Sequence, residues 1–118
     1  MAGHVVITAA EYQLAMAKTM TENALQNQFD ALADALGWRT YHTHDSRRSP
    51  GGFPDSCLVH ARHRRLLFVE LKTMKGKTSA KQDGWITDLA TAGVEVHVLR
   101  PIDLLDGSIE ALLRRRTR

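Results

Sequence analysis

The chain has 118 residues, 43% of them apolar, which suffices for one domain spanning 1–118 with a modest core. Its single cysteine, Cys57, excludes an internal disulfide and reads as a small core residue, and no stretch is long and apolar enough to span a bilayer, so a cytoplasmic protein is expected. Sixteen Lys and Arg against thirteen Asp and Glu leave a net charge of +3, gathered at Arg47-Arg48, Arg62–Arg65, Lys72-Lys75-Lys77-Lys81 and Arg114–Arg118. Such clusters suit a polyanionic partner, and each one alone also suits a solvated surface.

In chain order, Thr8-Ala9-Ala10-Glu11 has capping-box spacing and opens a first helix to about Lys18. Thr21 caps a second helix, in which Leu25, Phe29, Leu32, Ala33 and Leu36 form an apolar stripe at helical spacing. Gly37 then serves as its C-terminal stop. Trp38 to Thr43 reads as a strand, followed by a polar, glycine-containing loop to Phe53. Two apolar runs, 56–61 and 66–71, flank the polar stretch Arg62–Arg65 and predict an antiparallel hairpin turning at Arg62-His63. With both faces largely apolar, the hairpin is expected at the centre of the sheet with helices on both sides. Ser79-Ala80-Lys81-Gln82 is a second capping box, starting a helix that turns Trp85, Ile86 and Leu89 inward and ends at Gly93. Val94 to Leu99 makes a last strand, and 102–115 a terminal helix interrupted at Gly107. The expected order is α-α-β-β-β-α-β-α, an α/β fold with a mixed sheet flanked by helices.

The hairpin register carries the chemistry. It sets Val59 against Leu66, Cys57 against Phe68 and Asp55 against Glu70. Alternation along a strand puts Lys72 on the face of Glu70 and Leu71 on the other. Two carboxylates and an ammonium then meet at one end of the hairpin. That set can hold magnesium or manganese, which take oxygen ligands and keep several waters. A lysine there adds a compact charge near a phosphate under attack. The competing reading is two strand-end carboxylates and an exposed lysine. Glu70 argues against it, because it interrupts Leu66-Leu67-Phe68-Val69-Leu71, where an unpaired charge is costly.

Gly52-Phe53-Pro54-Asp55, then Glu70-Leu71-Lys72, then Gln82 after Lys75-Gly76-Lys77, resembles the VRR-NUC family of the PD-(D/E)XK nuclease superfamily, its small stand-alone phage and bacterial members in particular. The likeness continues through Gly37-Trp38, His42-Thr43, Asp45–Arg48 and Ala92-Gly93-Val94, and covers roughly 22–103. The bare P-D…E-x-K pattern is unspecific; the ordered set is not. The resemblance implies a restriction-endonuclease-like core and a Mg²⁺- or Mn²⁺-dependent endonuclease acting on duplex or branched, Holliday-junction-like DNA, usually as a homodimer. It implies Asp55 and Glu70 as metal ligands, the Leu71 carbonyl completing the shell, and Glu22 as a third carboxylate, with Glu11 the alternative. Lys72 would position water, and Gln82 would orient it or touch a phosphate. Arg47, Arg48, Lys75, Lys77 and Lys81 are candidate DNA contacts.

Several residues have simpler explanations. Glu22 in a first helical turn is favoured by the dipole alone, and Gln82 by the capping box alone. The six histidines lack cysteine companions at zinc spacing; His42 or His44 could meet a phosphate or simply be solvated. Trp38 and Trp85 read as core or interface residues. A non-catalytic DNA-binding accessory protein is the competing function, although a pure binder has no need of converging carboxylates. A sequence-specific restriction-type enzyme would need a base-reading element for which little chain is left. The apolar positions Tyr12, Leu14 and Met16 of the first helix are the expected dimer surface, or an ordinary sheet-covering one.

Overall fold

The computed structural model describes residues 6–43 and 51–116. Helix α1 (Ala9–Thr19) is capped by Thr8, whose Oγ1 accepts the Glu11 N–H at 3.0 Å. Helix α2 (Glu22–Ala35) is capped by Thr21, which accepts the Ala24 N–H at 3.1 Å. Its stripe buries Leu25, Phe29 and Ala33 completely. The helix ends as expected at Gly37, with φ +89°. The Gly37 N–H donates to Asp34 and the Trp38 N–H to Ala33, both at 3.0 Å, closing a Schellman turn. A Cβ at position 37 would lie 2.9 Å from His60 Nε2, so glycine is required twice over.

Strands β1 (Arg39–His42), β2 (Ser56–His60) and β3 (Arg65–Leu71) form an antiparallel meander. Helix α3 (Ala80–Thr91) then crosses to β4 (Glu95–Leu99), which pairs parallel to β3. The sheet order is β1-β2-β3-β4, placing the hairpin centrally. Helices α4 (Pro101–Leu105) and α5 (Ser108–Arg114) finish the fold, separated by Gly107 at φ +86°. The expected terminal helix is thus two helices.

The hairpin has the expected register: Val59 opposes Leu66 and Cys57 opposes Phe68. Pairing of Ser56 with Val69 continues the ladder toward Asp55 and Glu70. One sheet face carries the core. Leu58, Leu67, Val69, Leu71 and Leu99 pack there against Leu25 and Phe29 of α2 and Ile109 and Leu113 of α5. Trp38 completes this core, and its indole N–H donates to the Leu113 carbonyl at 3.0 Å.

Helices flank both sides of the sheet as expected, but the cover of the second face is partial. On the second face α3 packs against β4, while Tyr41, Val59 and Leu66 remain 68%, 40% and 47% exposed. For the same reason α3 buries no residue fully; Ile86 and Leu89 are half-buried and Trp85 is exposed rather than inward. Trp85 instead meets Phe53 edge to face at 4.9 Å, and Phe53 meets Phe68 at 5.5 Å. Cys57 lies on this thinner face, half-buried, and burial raises its thiol pKa.

Arg65 departs from the surface role suggested by its run of arginines. It points into the core face, 5% exposed, and forks onto Glu95 at 3.1 and 2.8 Å. Its Nη1 donates to the carbonyls of Leu112 and Arg115, and its guanidinium lies 5.1 Å from the Trp38 ring centroid. One buried cation therefore closes the end of α5 against β3 and β4.

Candidate active site

Glu70 is the penultimate residue of β3 and is 1% exposed. Three donors meet its carboxylate. Gln82 Nε2 reaches Oε1 at 2.7 Å, the Asp55 backbone N–H reaches Oε2 at 3.1 Å, and Lys72 Nζ stands 3.7 Å from Oε1. The ladder puts Asp55 opposite Glu70, and the Thr43 N–H donates to the Asp55 carbonyl at 2.9 Å, so β1 and β2 fix the Asp55 backbone between them. Lys72, one residue beyond β3, is anchored through its N–H to Leu99 at 3.0 Å. Leu71 faces the opposite way, into the core.

Gln82 joins two jobs that look separate in the sequence. Its Oε1 accepts the Ser79 N–H at 2.9 Å while Ser79 Oγ accepts the Gln82 N–H at 3.1 Å, a complete capping box. The remaining amide group is the donor to Glu70. Gly52 sets the opposite wall: at φ +92°, a Cβ there would sit 2.5 Å from the Lys81 carbonyl carbon. Only glycine lets the segment entering Asp55 lie directly on the first turn of α3.

Burial is the main cause that raises the Glu70 pKa, followed by the charge of Asp55; the Asp55 N–H and Lys72 pull it back, and Glu22 adds a further upward push. Glu22, exposed in the first turn of α2, lines a groove of about 350 Å³ with Asn23, Gln26, His42, Thr43 and Asp55. Glu11, in the first turn of α1, is not among the residues lining that groove. Of the second wall of the groove, the sequence singled out His42 but not Gln26, Asp30 or Ser56. Gln26 donates to Asp30 at 2.9 Å and to Ser56 at 3.3 Å, and His42 lies 3.7 Å from Asp30. Spacing alone could have found the i, i+4 pair Gln26–Asp30. Arg100 was also missed; it holds the loop after Lys72 through the carbonyls of Thr73 and Gly76, each at 2.6 Å.

Of the candidate DNA contacts, Lys75 and Lys77 are exposed in the loop leading to α3, and Lys81 is exposed on its first turn, its stem against Gly51. Arg47 and Arg48, with His44, Asp45 and Ser46, lie outside the described residues. Among the described residues, no group of three or more His, Cys, Asp and Glu side chains is assembled to hold a metal, and no helix is long and apolar enough to cross a membrane. The donors at Asp55 and Glu70 are nevertheless oxygen alone, and their mutual repulsion is what a hard cation relieves. Two carboxylates suffice for magnesium or manganese, which retain waters, so the site fits such an ion.

No curated relative matches the chain. A solved structure described as a VRR_NUC domain is 26% identical, covers 75% of this chain and 94% of its own, and superposes with a TM-score of 0.63. The sequence profile of the VRR-NUC domain matches residues 7–101, starting well before the span over which the sequence motifs show the likeness. With a four-stranded mixed sheet flanked by helices and a family profile over most of its length, this chain belongs to the VRR-NUC domain family, a nuclease-type, DNA-processing fold.

Proposed function

We propose that this protein is a Mg²⁺- or Mn²⁺-dependent endonuclease that hydrolyses DNA phosphodiester bonds, with branched, Holliday-junction-like DNA as its preferred substrate. The observation that carries the reading is the Glu70 carboxylate, 1% exposed beside Asp55, with Lys72 and Gln82 both directed at it. Burying a carboxylate next to another carboxylate is costly, and a DNA-binding accessory protein gains nothing from it.

Asp55 and Glu70 would hold the ion, with the Leu71 carbonyl and Glu22 as further oxygen donors. Such an ion acidifies bound water and offsets the charge of the reacting phosphate. Gln82 holds Glu70 in one rotamer by its 2.7 Å hydrogen bond, so the acceptor geometry is set before substrate arrives. Lys72, held beside Glu70, presents a cation toward the attacking water and the negative charge that grows on phosphorus. Lys75, Lys77 and Lys81, exposed between Lys72 and the first turn of α3, favour a polyanion, and the charges of Arg47 and Arg48 add to that preference.

Paired cuts across a four-way junction call for two such sites related by a two-fold axis. Tyr12 and Met16, one turn apart on α1 and 57% and 46% accessible, leave an exposed apolar strip on which a second copy would dock, while Leu14, 39% accessible, lies on the other flank of the helix. Labelled single-stranded, duplex, flap and four-way DNA, incubated at equal concentration with Mg²⁺, Mn²⁺ or EDTA, test the reading. Ion-dependent cleavage greatest on the four-way substrate is expected; no cleavage of any form refutes it. Sedimentation should show a dimer at micromolar concentration. A monomer with and without junction DNA removes the paired-cut geometry and leaves a nicking enzyme.

A further inference from the structure

The strand register divides the thinner sheet face into rows. Asp55 and Glu70 form one row, with Val98 beyond Glu70 on β4. The next holds Tyr41, Cys57, Phe68 and Val96, and the third Arg39, Val59 and Leu66. The second row is covered unevenly. Phe53 and, through it, Trp85 shield Phe68, whereas Tyr41 is 68% exposed. Tyr41 is diagonal to Asp55 across the β1–β2 pair, a separation of about 7–8 Å. Its ring therefore stands within reach of the nucleotide adjoining a phosphate at the carboxylates. Arg39, exposed on the same face, has no ion pair among the described residues.

We infer that Tyr41 is a stacking platform for an unpaired base next to the reacting phosphate, with Arg39 contacting the neighbouring backbone. The inference rests on the nuclease reading and adds what it lacks, a feature that tells splayed DNA from fully paired DNA. An exposed aromatic ring with an adjoining cation is what single-stranded nucleic acid binds, because every base offers a π-face. In a paired duplex the same base is already stacked, so the ring gains nothing there. Continuity with the carboxylate row and the positive charge of Arg39 favour DNA over a second protein copy on this patch.

The test uses the full chain carrying Glu70→Gln to prevent cutting, alone and combined with Tyr41→Phe or Tyr41→Ala. The probes are a splayed-arm DNA and a duplex of the same sequence, with the fluorescent base 2-aminopurine at the first unpaired position. With Tyr41 present, binding should quench the splayed-arm probe, and Tyr41→Phe should preserve the quench. Tyr41→Ala should abolish it and weaken splayed-arm binding roughly tenfold or more, with duplex binding nearly unchanged. Equal losses on both DNAs, or an undiminished quench in Tyr41→Ala, overturn the inference. So does a change of oligomeric state on sedimentation of Tyr41→Ala, which would assign the patch to a second copy. Because binding is the readout, an inactive wild-type protein that still quenches through Tyr41 refutes the nuclease reading alone, and Tyr41 is then a base-stacking residue of a DNA-binding protein.

Discussion

Replacing Glu70 by glutamine separates catalytic need from structural need at the centre of the site. The side chain keeps its shape and loses its charge. Three donors converge on the native carboxylate, from Gln82, Lys72 and the Asp55 N–H. A glutamine offers one oxygen to them, so at least one donor faces an NH₂ group. A lost hydrogen bond to a charged group costs about 1.5–3 kcal/mol. Against this, the variant no longer buries a charge that its surroundings and Asp55 both disfavour, as the raised Glu70 pKa indicates. These terms oppose each other, and stability should change by no more than about 2 kcal/mol. Cleavage should change far more. Even two unit charges about 4 Å apart attract by about 4 kcal/mol at an effective dielectric near 20, so losing the carboxylate's charge beside a divalent ion should cost at least about a thousandfold in rate. Urea unfolding and single-turnover cleavage of labelled DNA measure the two effects on one preparation. Cleavage within tenfold of wild type refutes the role given to Glu70, and unfolding of the variant would make Glu70 a structural residue.

Lys72→Ala should bind Mn²⁺ at least as tightly as wild type by calorimetry, since a competing cation is gone, and lose most single-turnover cleavage; the reverse pattern makes Lys72 structural. Arg65→Ala breaks the fork to Glu95, two carbonyl contacts and the stacking on Trp38. Its unfolding free energy should fall by about 3 kcal/mol, the low end for a broken buried pair because Glu95 is partly solvated, with Arg65→Lys recovering only part. The Arg65 hydrogen bonds, with help from His97, also hold the Glu95 pKa below its usual value. A depressed carboxylate stabilises the fold above its unfolded pKa and loses that contribution as pH falls through the folded one. Stability should therefore decline in acid below roughly pH 4.3, and Glu95→Gln should flatten that decline in urea titrations. Glu70 has the opposite sign: its raised pKa contributes stability below its unfolded value that fades as pH rises.

The hairpin and its register were legible in the sequence, because a one-residue slip would have turned Leu58, Leu67 and Val69 away from the core. Gly37 and the Ser79–Gln82 box were legible for a similar reason: each is local chemistry with one geometric solution. What escaped depends on partners distant in the chain. Arg65 sits in a run of surface-like arginines, and nothing nearby reveals that Glu95 and the end of α5 enclose it. Glu22 and Glu11 both occupy first helical turns, and only the packing of α2 beside β1 and β2 shows that Glu22 shares a groove with Asp55. The exposed part of the second face was also hidden, since Val59 and Leu66 carry the same apolar signal whether or not a helix covers them.

Titration of Mn²⁺ into metal-stripped wild-type protein and into Asp55→Ala, with DNA cleavage followed in the same samples, tests the central claim most directly. Saturable binding and ion-dependent cleavage in wild type, with both lost in the variant, is the predicted result. Cleavage in EDTA, or ion binding and cleavage by Asp55→Ala equal to wild type, would contradict it.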